Sequence, residues 1–356
     1  MPSRRRLLQL LTAAGALGAG GWALLTAGRG NAYYRGPASD HFDGRRFFNP
    51  GGIEPRGGLD FLRWQLGERG AAWPSSVPSP FPPDRPPASV DGDAVRVAFV
   101  GHASFLLQTR GRGILIDPVW SERASPLAFA GPKRVNPPGI EFDALPKIDC
   151  VLLTHNHHDH MDTGTIGRLW QRFAPRIVTP LGNDAILEAA VPGLAAQAVD
   201  WDATVDLGGG LTVHVEPSQH WSARGAGDRS HALWASFVLE AGANKLYCVG
   251  DTGFGDGASF RRVRNRHPGL ALALLPIGAY EPRWFMRGVH MSPHEAVEAL
   301  ELCGATQALG HHWGTFRLTN EAVEQPALDL AAALAARGVS PERFAGLRPG
   351  EVRILG

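Results

Sequence analysis

The sequence of 356 residues predicts an α/β protein in which two β-sheets pack together with helices on their outer sides. Strand-like runs outnumber helical ones at the start of the core region and then alternate with them. Hydrophobic residues make up 44% of the chain and charged residues 19%, which is ordinary for a soluble core. This apolar content suffices for one large core over residues 94–356.

The first predicted elements form a meander of three short strands, at 95–100, 104–108 and 113–117. A mostly apolar run at 148–153 then indicates a buried strand. The remaining elements alternate: helices at 163–173, 183–190, 293–303 and 320–337, and strands at 176–179, 211–216, 234–239, 245–249, 270–276 and 307–310.

Residues 1–31 predict a targeting segment. Three arginines at positions 4–6 precede an uncharged, Gly-rich run from 7 to 28, which is typical of a twin-arginine export signal. We therefore expect export to the periplasm or cell envelope, with an uncleaved membrane anchor as the alternative fate of this segment. An ordinary buried helix is the competing interpretation.

Residues 32–93 form a predicted Pro-rich N-terminal extension that packs on the core. Seven prolines lie between positions 74 and 87, which favours an extended or polyproline II chain. Trp64, Trp73 and the phenylalanine pair at 47–48 are expected to anchor the extension, and they argue against the alternative of a flexible linker.

Charge and cysteine content argue against two broad classes of protein. The chain has 35 basic and 34 acidic residues, so it shows no polyanion-binding pattern and nucleic acid is not expected as a partner. Its 3 cysteines are Cys150, Cys248 and Cys303. They form no C-x-x-C pair, so we expect them to be small buried hydrophobic residues and not a disulfide framework.

The strongest functional motif is THNHHDHMD at residues 154–162, directly after the predicted buried strand. It places four histidines and Asp159 on a loop at the C-terminal end of a strand, where α/β sheets usually carry their chemistry. Imidazole nitrogen and carboxylate oxygen are ligands that Zn²⁺ favours. A solvated His-rich loop is the alternative, but this combination after a buried strand favours a metal site.

Three later segments repeat the arrangement of an apolar strand followed by a candidate ligand. The strand at 211–216 leads to His220, the one at 245–249 leads to Asp251, and the one at 307–310 leads to the histidine pair at 311–312. One Asp or His after a strand is more often structural. Four such sets in one chain predict a shared metal site.

The order of these motifs resembles the metallo-β-lactamase superfamily, whose fold is a four-layer αββα sandwich. The resemblance covers about residues 95–317 and implies a centre with two Zn²⁺ ions per subunit, with iron or manganese as alternatives. It implies seven metal ligands in two sets: His155, His157 and His220 for one ion, Asp159, His160 and His312 for the other, and Asp251 as the bridge.

A closer resemblance is to the N-acylphosphatidylethanolamine-hydrolysing phospholipase D family. It rests on sequence blocks from the first core strand to the last ligand: VGHA at 100–103, DP at 117–118, SERASP at 121–126, GPKR at 131–134, PSQHW at 217–221, PIGAYEPRWFM at 276–286 and HWGTF at 312–316. The resemblance implies a zinc phosphodiesterase of phospholipase D type. It would hydrolyse N-acylphosphatidylethanolamine-like phospholipids to N-acylethanolamine and phosphatidic acid, with a metal-bridging hydroxide attacking phosphorus.

Two further residues join Asp251 as catalytic candidates. Asp117 resembles a family carboxylate and is expected to support a ligand histidine, while a structural Asp that starts a turn at Pro118 is an equally good interpretation. His290 matches a family histidine near the substrate phosphate and would assist the leaving oxygen. The competing interpretation of His290 is the approach to a helix that Ser292 caps.

Four side chains of the 276–286 block are candidate substrate contacts: Tyr280, Arg283, Trp284 and Phe285. Apolar rings with one cationic edge suit an acyl chain beside a phosphate, so a lipid groove is the first interpretation and a buried loop plug the second.

The resemblance also implies partners. We expect a membrane phospholipid as substrate, and we include membrane association and a homodimer among the expected interactions. A lactonase or a soluble phosphodiesterase on the same fold is the nearest alternative function, and a non-catalytic zinc protein of the envelope is another.

Overall fold

Seven strands form the first sheet of the computed structural model, which describes residues 30–67 and 70–355. They are β1 (Val95–Gly101), β2 (Ser104–Thr109), β3 (Arg112–Ile116), β4 (Cys150–Leu152), β5 (Arg176–Pro180), β6 (Gln197–Val199) and β14 (Val352–Leu355). Their spatial order is β14-β1-β2-β3-β4-β5-β6. Pairs from β14 to β3 are antiparallel and pairs from β3 to β6 are parallel, because the later strands are joined by crossover connections.

The second sheet has the same plan, with seven strands in the described ranges. They are β7 (Thr204–Gly208), β8 (Leu211–Glu216), β9 (Ser236–Ala241), β10 (Asn244–Cys248), β11 (Leu272–Pro276), β12 (Gln307–His311) and β13 (Phe344–Gly346). They follow one another in the sheet in chain order. Pairs from β7 to β10 are antiparallel, and pairs from β10 to β13 are parallel.

Helices lie before, between and after these strands: α1 (Gly58–Leu66), α2 (Thr163–Phe173), α3 (Asn183–Ala190), α4 (Ala258–Arg266), α5 (Arg283–Met286), α6 (Pro293–Cys303) and α7 (Gln325–Arg337). Two of them begin at strong caps. The Asp162 carboxylate accepts from two backbone N–H groups of α2. Ser292 and Glu295 form a capping box on α6.

The core lies in three apolar layers that define the αββα sandwich. The largest cluster fills the space between the sheets, with Phe99 and Phe105 from one side and Phe237 and Leu246 from the other. A second cluster packs the outer face of the second sheet against α4, α6 and α7, and a third packs the first sheet against α2 and α3. The predicted fold class is therefore confirmed, and the three cysteines are free and buried as predicted.

The structure contains elements that the sequence patterns did not predict, among them α1, α4 and α5 and the strands β6, β7, β13 and β14. Strand β14 is a short edge strand without a buried residue, so it lacks the alternation that identifies a strand. The last helix begins at Gln325 instead of 320, because Pro326 favours the first helical turn.

The extension packs on the core at several anchors. Phe42 and Phe47 lie in one apolar cluster with Leu233 and Trp234. The indole N–H of Trp64 donates to Asn320, and the indole N–H of Trp73 donates to a backbone carbonyl at 321. Of the aromatic residues expected to hold the extension, Phe47, Trp64 and Trp73 contact the core domain.

The predicted export signal falls at residues 1–31, and residues 1–29 lie outside the described part of the chain. Within residues 30–67 and 70–355, no helix combines the length and apolar character needed to cross a bilayer. Export therefore stays a prediction.

Candidate metal centre

Four loops carry the predicted metal ligands to one edge of the sandwich. Residues 155–160 follow β4 of the first sheet, whereas His220, Asp251 and His312 follow β8, β10 and β12 of the second sheet. One sheet thus provides one loop and the other provides three. The centre exists only because the two sheets pack face to face.

The first group of ligand atoms consists of three histidines and Asp251. Nδ1 of His157 lies 2.9 Å from Nε2 of His155 and 3.2 Å from Nε2 of His220. Ligand atoms bound at about 2.0–2.1 Å around a tetrahedral ion are roughly 3.3 Å apart, so this spacing suits one divalent ion. Burial lowers the pKa of His157 to about 3 and that of His220 to about 4, which keeps both imidazoles neutral and able to bind a cation.

The second group consists of Asp159, His160 and His312, together with His102. Oδ2 of Asp159 lies 3.2 Å from Nε2 of His312 and 3.7 Å from Nε2 of His160. Burial acts to lower the pKa of His312, but the carboxylates of Asp251 and Asp159 outweigh it and raise the pKa to about 9. Two carboxylates at this point favour a positive charge, which a second metal ion would supply.

Asp251 lies between the two groups. Its Oδ2 is 3.9 Å from Nε2 of His155 and 3.7 Å from Nε2 of His220. The same oxygen is 3.2 Å from Nε2 of His160 and 3.1 Å from Nε2 of His312. One carboxylate therefore faces imidazoles of both groups, as a carboxylate that bridges two ions must.

Buried polar atoms at the centre lack hydrogen-bond partners in the described structure. Nε2 of His160 and Oδ1 of Asp251 are two of them. A buried polar atom without a partner costs about 1–3 kcal/mol, and a bound cation would remove that cost. The residues present fit two divalent metal ions.

Hydrogen bonds on the outer side of the histidines direct their inner nitrogens toward the centre. Nδ1 of His160 donates to Asp117 at 2.7 Å. The Thr154 hydroxyl also donates to Asp117, at 2.7 Å, and its oxygen accepts from Nδ1 of His155 at 3.0 Å. Nδ1 of His220 donates to a backbone carbonyl at 2.9 Å. Because Nδ1 carries the proton in these three histidines, Nε2 keeps its lone pair for a metal.

Asp117 combines both interpretations drawn from the sequence. It lies directly after β3 with a φ of 42°, so it starts the turn at 117–118. This left-handed backbone costs of order 1–3 kcal/mol in a non-glycine residue. Its fully buried carboxylate also accepts the backbone N–H of Thr154 at 2.8 Å, beside the bond from His160. The turn thus places the carboxylate behind a ligand histidine.

His102 belongs to the centre although the sequence patterns did not single it out as a ligand. Its Nε2 lies 2.9 Å from Oδ2 of Asp159, and its ring centroid is 4.1 Å from that of His312. Burial lowers its pKa to about 4, so a neutral imidazole can donate from Nε2 and orient the carboxylate. One signal could have identified His102 as part of the centre: it directly follows β1 in the VGHA block, just as the other candidate ligands follow their strands.

His290 lies beside both groups. Its Nε2 is 3.8 Å from Oδ2 of Asp251, and its ring centroid is 5.1 Å from that of His312. Burial lowers the pKa of His290 well below its usual range, so the imidazole is neutral. Arg283 donates to its backbone carbonyl at 3.0 Å, and Ser292 caps the following helix. His290 therefore lies beside the metal centre and also just before the helix that Ser292 caps, so the structure agrees with both interpretations.

The four candidate substrate contacts separate into an inner and an outer pair. Tyr280 is 3% exposed, and its hydroxyl donates to Asp329 at 2.5 Å. Of the two interpretations of Tyr280, its burial and its bond to a carboxylate of α7 favour the buried loop plug over the lipid groove. Arg283 is bound to Glu295 at 2.7 Å, so its charge is already paired.

The outer pair, Trp284 and Phe285, packs with the ring of Trp64 on α1. The Phe285 ring centroid is 5.0 Å from that of Trp64. Phe285 and Trp221 pack against the same small apolar cluster, and the Trp221 ring is 4.7 Å from that of His157.

A third group of metal-binding side chains lies on the outer face of the second sheet and comprises His214, Glu240 and His267. Lys245 already pairs with Glu240 at 3.1 Å, and Nε2 of His267 contacts Glu216 at 2.9 Å. Because these contacts satisfy the charges, we assign no metal there.

Comparison with known proteins places the centre in a family. The model of the family described as "Beta-lactamase superfamily domain" matches residues 112–313, which include all seven predicted ligands. The N-acyl-phosphatidylethanolamine-hydrolyzing phospholipase D 1 of Caenorhabditis elegans is 36% identical over 229 residues, which are 61% of this chain and 63% of that protein. The chain thus spans less than two thirds of that relative's length.

Two further comparisons extend the match. An uncharacterized protein of Mycobacterium tuberculosis is 36% identical over 281 residues, covering 77% of this chain and 73% of that protein. Among solved structures, the isothiocyanate hydrolase from Delia radicum gut bacteria has a TM-score of 0.57 at 20% identity, covering 72% of this chain and 98% of that chain. At this identity the structural likeness concerns the fold alone.

Proposed function

The chain belongs to the metallo-β-lactamase superfamily of metal-dependent hydrolases, and from this premise we propose that it is a dinuclear zinc phosphodiesterase of phospholipase D type. Its substrates are N-acylphosphatidylethanolamine-like phospholipids, and its products are N-acylethanolamine and phosphatidic acid. The observation that carries the proposal is Asp251 Oδ2 lying between two ligand groups, with the ring of Trp221 beside His157.

Two divalent ions bound at this centre would lower the pKa of a water molecule and offset the negative charge of a phosphodiester. The protein's own contribution is preorganisation. Asp117 and Thr154 hold the ligand histidines in one tautomer, so their lone pairs need no rearrangement during the reaction. The burial of Asp159 and Asp251 keeps bulk water away from the charges and strengthens their interactions.

His290 is positioned to assist the leaving group. Its neutral imidazole would donate a hydrogen bond to the ethanolamine oxygen as the phosphorus–oxygen bond breaks, and the proton that this oxygen takes up would come from the attacking water. The water oxygen then becomes part of the phosphate of phosphatidic acid. Arg283 holds the backbone of His290 and is itself held by Glu295, so the imidazole has a defined position.

A soluble phosphodiester is the competing substrate, and one observation favours it. A cavity of about 350 Å³ lies beside the ligand loop. Its polar and charged lining includes Ser121, Arg123, His158, Asp162 and Arg224. A small anionic substrate would suit such a lining better than an acyl chain would.

The test offers the purified protein three substrates in parallel: N-acylphosphatidylethanolamine in detergent micelles, a lactone and a nitrophenyl phosphodiester. We expect release of N-acylethanolamine from the lipid, measured by mass spectrometry. His160→Ala and Asp251→Asn should each lower this rate at least about 100-fold, because each removes a metal ligand.

His214→Ala is the matched control, since it removes a histidine from the outer face of the second sheet, and it should keep the lipid activity. Turnover of the lactone alone would reject the phospholipase proposal. Full activity in both ligand variants would reject the two-metal mechanism.

A further inference from the structure

A buried glutamate that the proposed mechanism does not use lies behind the loop that joins β11 to α5. Glu321 precedes α7, and its carboxylate accepts three hydrogen bonds. The donors are the backbone N–H of Ala279 at 2.6 Å, the backbone N–H of Glu281 at 3.2 Å and the hydroxyl of Thr319 at 2.7 Å. The two backbone donors belong to the 277–282 loop, so Glu321 holds the middle of this loop.

The backbone of the 277–282 loop needs such support. Ala279 has a φ of 60°, a left-handed conformation that residues with a side chain rarely adopt. Hydrogen bonds to a charged acceptor are roughly twice as strong as neutral ones. The carboxylate of Glu321 therefore stabilises an unfavourable turn at the point where the loop changes direction.

The start of the 277–282 loop is fixed against the segment that carries a metal ligand. The N–H of Ile277 donates to the carbonyl of His311 at 3.0 Å. A Cβ at Gly278 would lie 2.0 Å from the carbonyl oxygen of His312, so no side chain fits there. Because Gly278 cannot approach His312 further, loss of the bonds to Glu321 would displace the loop from Ala279 onward.

The end of the 277–282 loop leads to His290. The carboxylate of Glu281 accepts the backbone N–H of Arg283 at 2.9 Å. The guanidinium of Arg283 then donates to the backbone carbonyl of His290 at 3.0 Å and to Glu295 at 2.7 Å. Contacts thus run from Glu321 through Glu281 and Arg283 to the backbone of His290.

We propose that Glu321 is a positioning residue: by holding the 277–282 loop it places Arg283, and through Arg283 the imidazole of His290, beside the metal centre. The inference rests on the proposed function insofar as His290 donates a hydrogen bond to the leaving oxygen. Glu321 belongs to neither ligand group, so its effect on the rate should come without loss of metal. The alternative is a structural role that affects only the stability of the fold.

The first experiment follows the loop without any substrate. Glu321→Gln replaces one acceptor oxygen by an N–H₂ group, which cannot accept from the loop. Hydrogen–deuterium exchange measured by mass spectrometry should be at least about five-fold faster over 277–290 than in the wild type. Glu351→Gln is the matched control, because Glu351 is also buried and its carboxylate also accepts a backbone N–H, from Arg348 at 3.1 Å. It should leave exchange over 277–290 unchanged.

The second experiment compares two leaving groups. The ethanolamine oxygen is a poor leaving group that gains from a hydrogen bond donated by His290, whereas nitrophenolate leaves without one. Glu321→Gln should lower kcat at least about 10-fold for N-acylphosphatidylethanolamine and less than about three-fold for a nitrophenyl phosphodiester, with KM and metal content unchanged. In a His290→Ala background, Glu321→Gln should lower kcat no further.

A milder variant makes the test independent of how well Glu321→Gln folds. Thr319→Val removes one of the three donors to the carboxylate and should show the same pattern with smaller changes.

Each outcome bears on one proposal. Unchanged exchange over 277–290, equal losses for the two substrates, or an undiminished effect in the His290→Ala background would overturn the positioning role. Faster exchange over 277–290 in a protein whose wild type hydrolyses neither phosphodiester would support the placement of this segment by Glu321 and reject the proposed function.

Discussion

At the residue scale, the centre depends on which nitrogen of each histidine carries the proton. Asp117 determines this for His160 directly and for His155 through Thr154. It is therefore a positioning residue. Asp117 accepts three hydrogen bonds, so both of its side-chain oxygens must act as acceptors. A carboxylate has two acceptor oxygens, whereas an amide has one oxygen and one N–H₂ donor.

Asp117→Asn should lower the metal affinity of the centre about 10–100-fold, because the amide N–H₂ would face the donors on Thr154 or His160. The measurement is metal per chain by mass spectrometry after dialysis against a weak chelator, together with kcat. Asp84→Asn is the control. It breaks a partly buried ion pair, in which Asp84 lies 2.6 Å from Arg96, and neither residue belongs to the metal centre. It should lower stability and keep the metal, and equal metal content in both variants would contradict the role of Asp117.

At the scale of elements, a histidine links the extension to the core. His41 contacts Asp40 at 2.6 Å and Asp200 at 2.8 Å, and its ring stacks on Trp201 at 4.4 Å between centroids. Burial acts to lower the pKa of His41, but the hydrogen bonds and charges of Asp200 and Asp40 outweigh it, and the pKa is raised.

This contact should make the attachment of the extension depend on pH. Because the folded-state pKa lies above the unfolded value of about 6.5, the stabilisation is complete below roughly pH 6. It is lost as the pH rises through the raised folded-state pKa. The difference in Tm between the wild type and His41→Gln should therefore be larger at pH 6 than at pH 9.

The exposed histidine His294 provides the control for this titration. His294→Gln should give a small difference in Tm at both pH values. A difference for His41→Gln that grows with pH would show that the charged imidazole does not stabilise the attachment.

At the scale of the whole molecule, the metal centre joins the two sheets. Its ligands come from one loop of the first sheet and three loops of the second. Without cations, the buried carboxylate of Asp251 and the nearby carboxylate of Asp159 would remain beside imidazole nitrogens that lack partners in the described structure. Metal binding should therefore stabilise the sandwich as well as support the reaction.

Removal of metal by a strong chelator should lower Tm by roughly 8 °C. A ligand present at 1,000 times its Kd contributes about 4 kcal/mol, and about 2 °C per kcal/mol is expected for a large domain. Scanning calorimetry before and after chelation measures the change, and added zinc should restore it. An unchanged Tm in protein shown to be free of metal would contradict this role of the centre.

Much of the fold and of the centre could be predicted from local patterns. The periodic runs located most of the central strands and the helices α2, α3 and α6 near their observed bounds. The four strand-then-ligand segments contained the residues that the structure brings together. Patterns of this kind are local, because hydrophobic spacing and strand ends are properties of neighbouring residues.

The features that local sequence patterns did not reveal depend on contacts between segments that lie far apart in the chain. For Tyr280 the sequence left a groove and a buried plug open, and the hydrogen bond of its hydroxyl to Asp329, 49 positions later in the chain, favours the plug. Strand β14 was missed because only its pairing with β1 makes those half-exposed residues a strand.

By itself, the sequence determined the two-sheet architecture, the chemical types of the metal ligands and the family to which the chain belongs. The tertiary structure alone decided that His102 joins the two groups and that α1 turns its leucines outward. The reason is physical. Ligand identity follows from the residue, whereas shared coordination and exposure follow from distances across a packed fold, which no stretch of sequence contains.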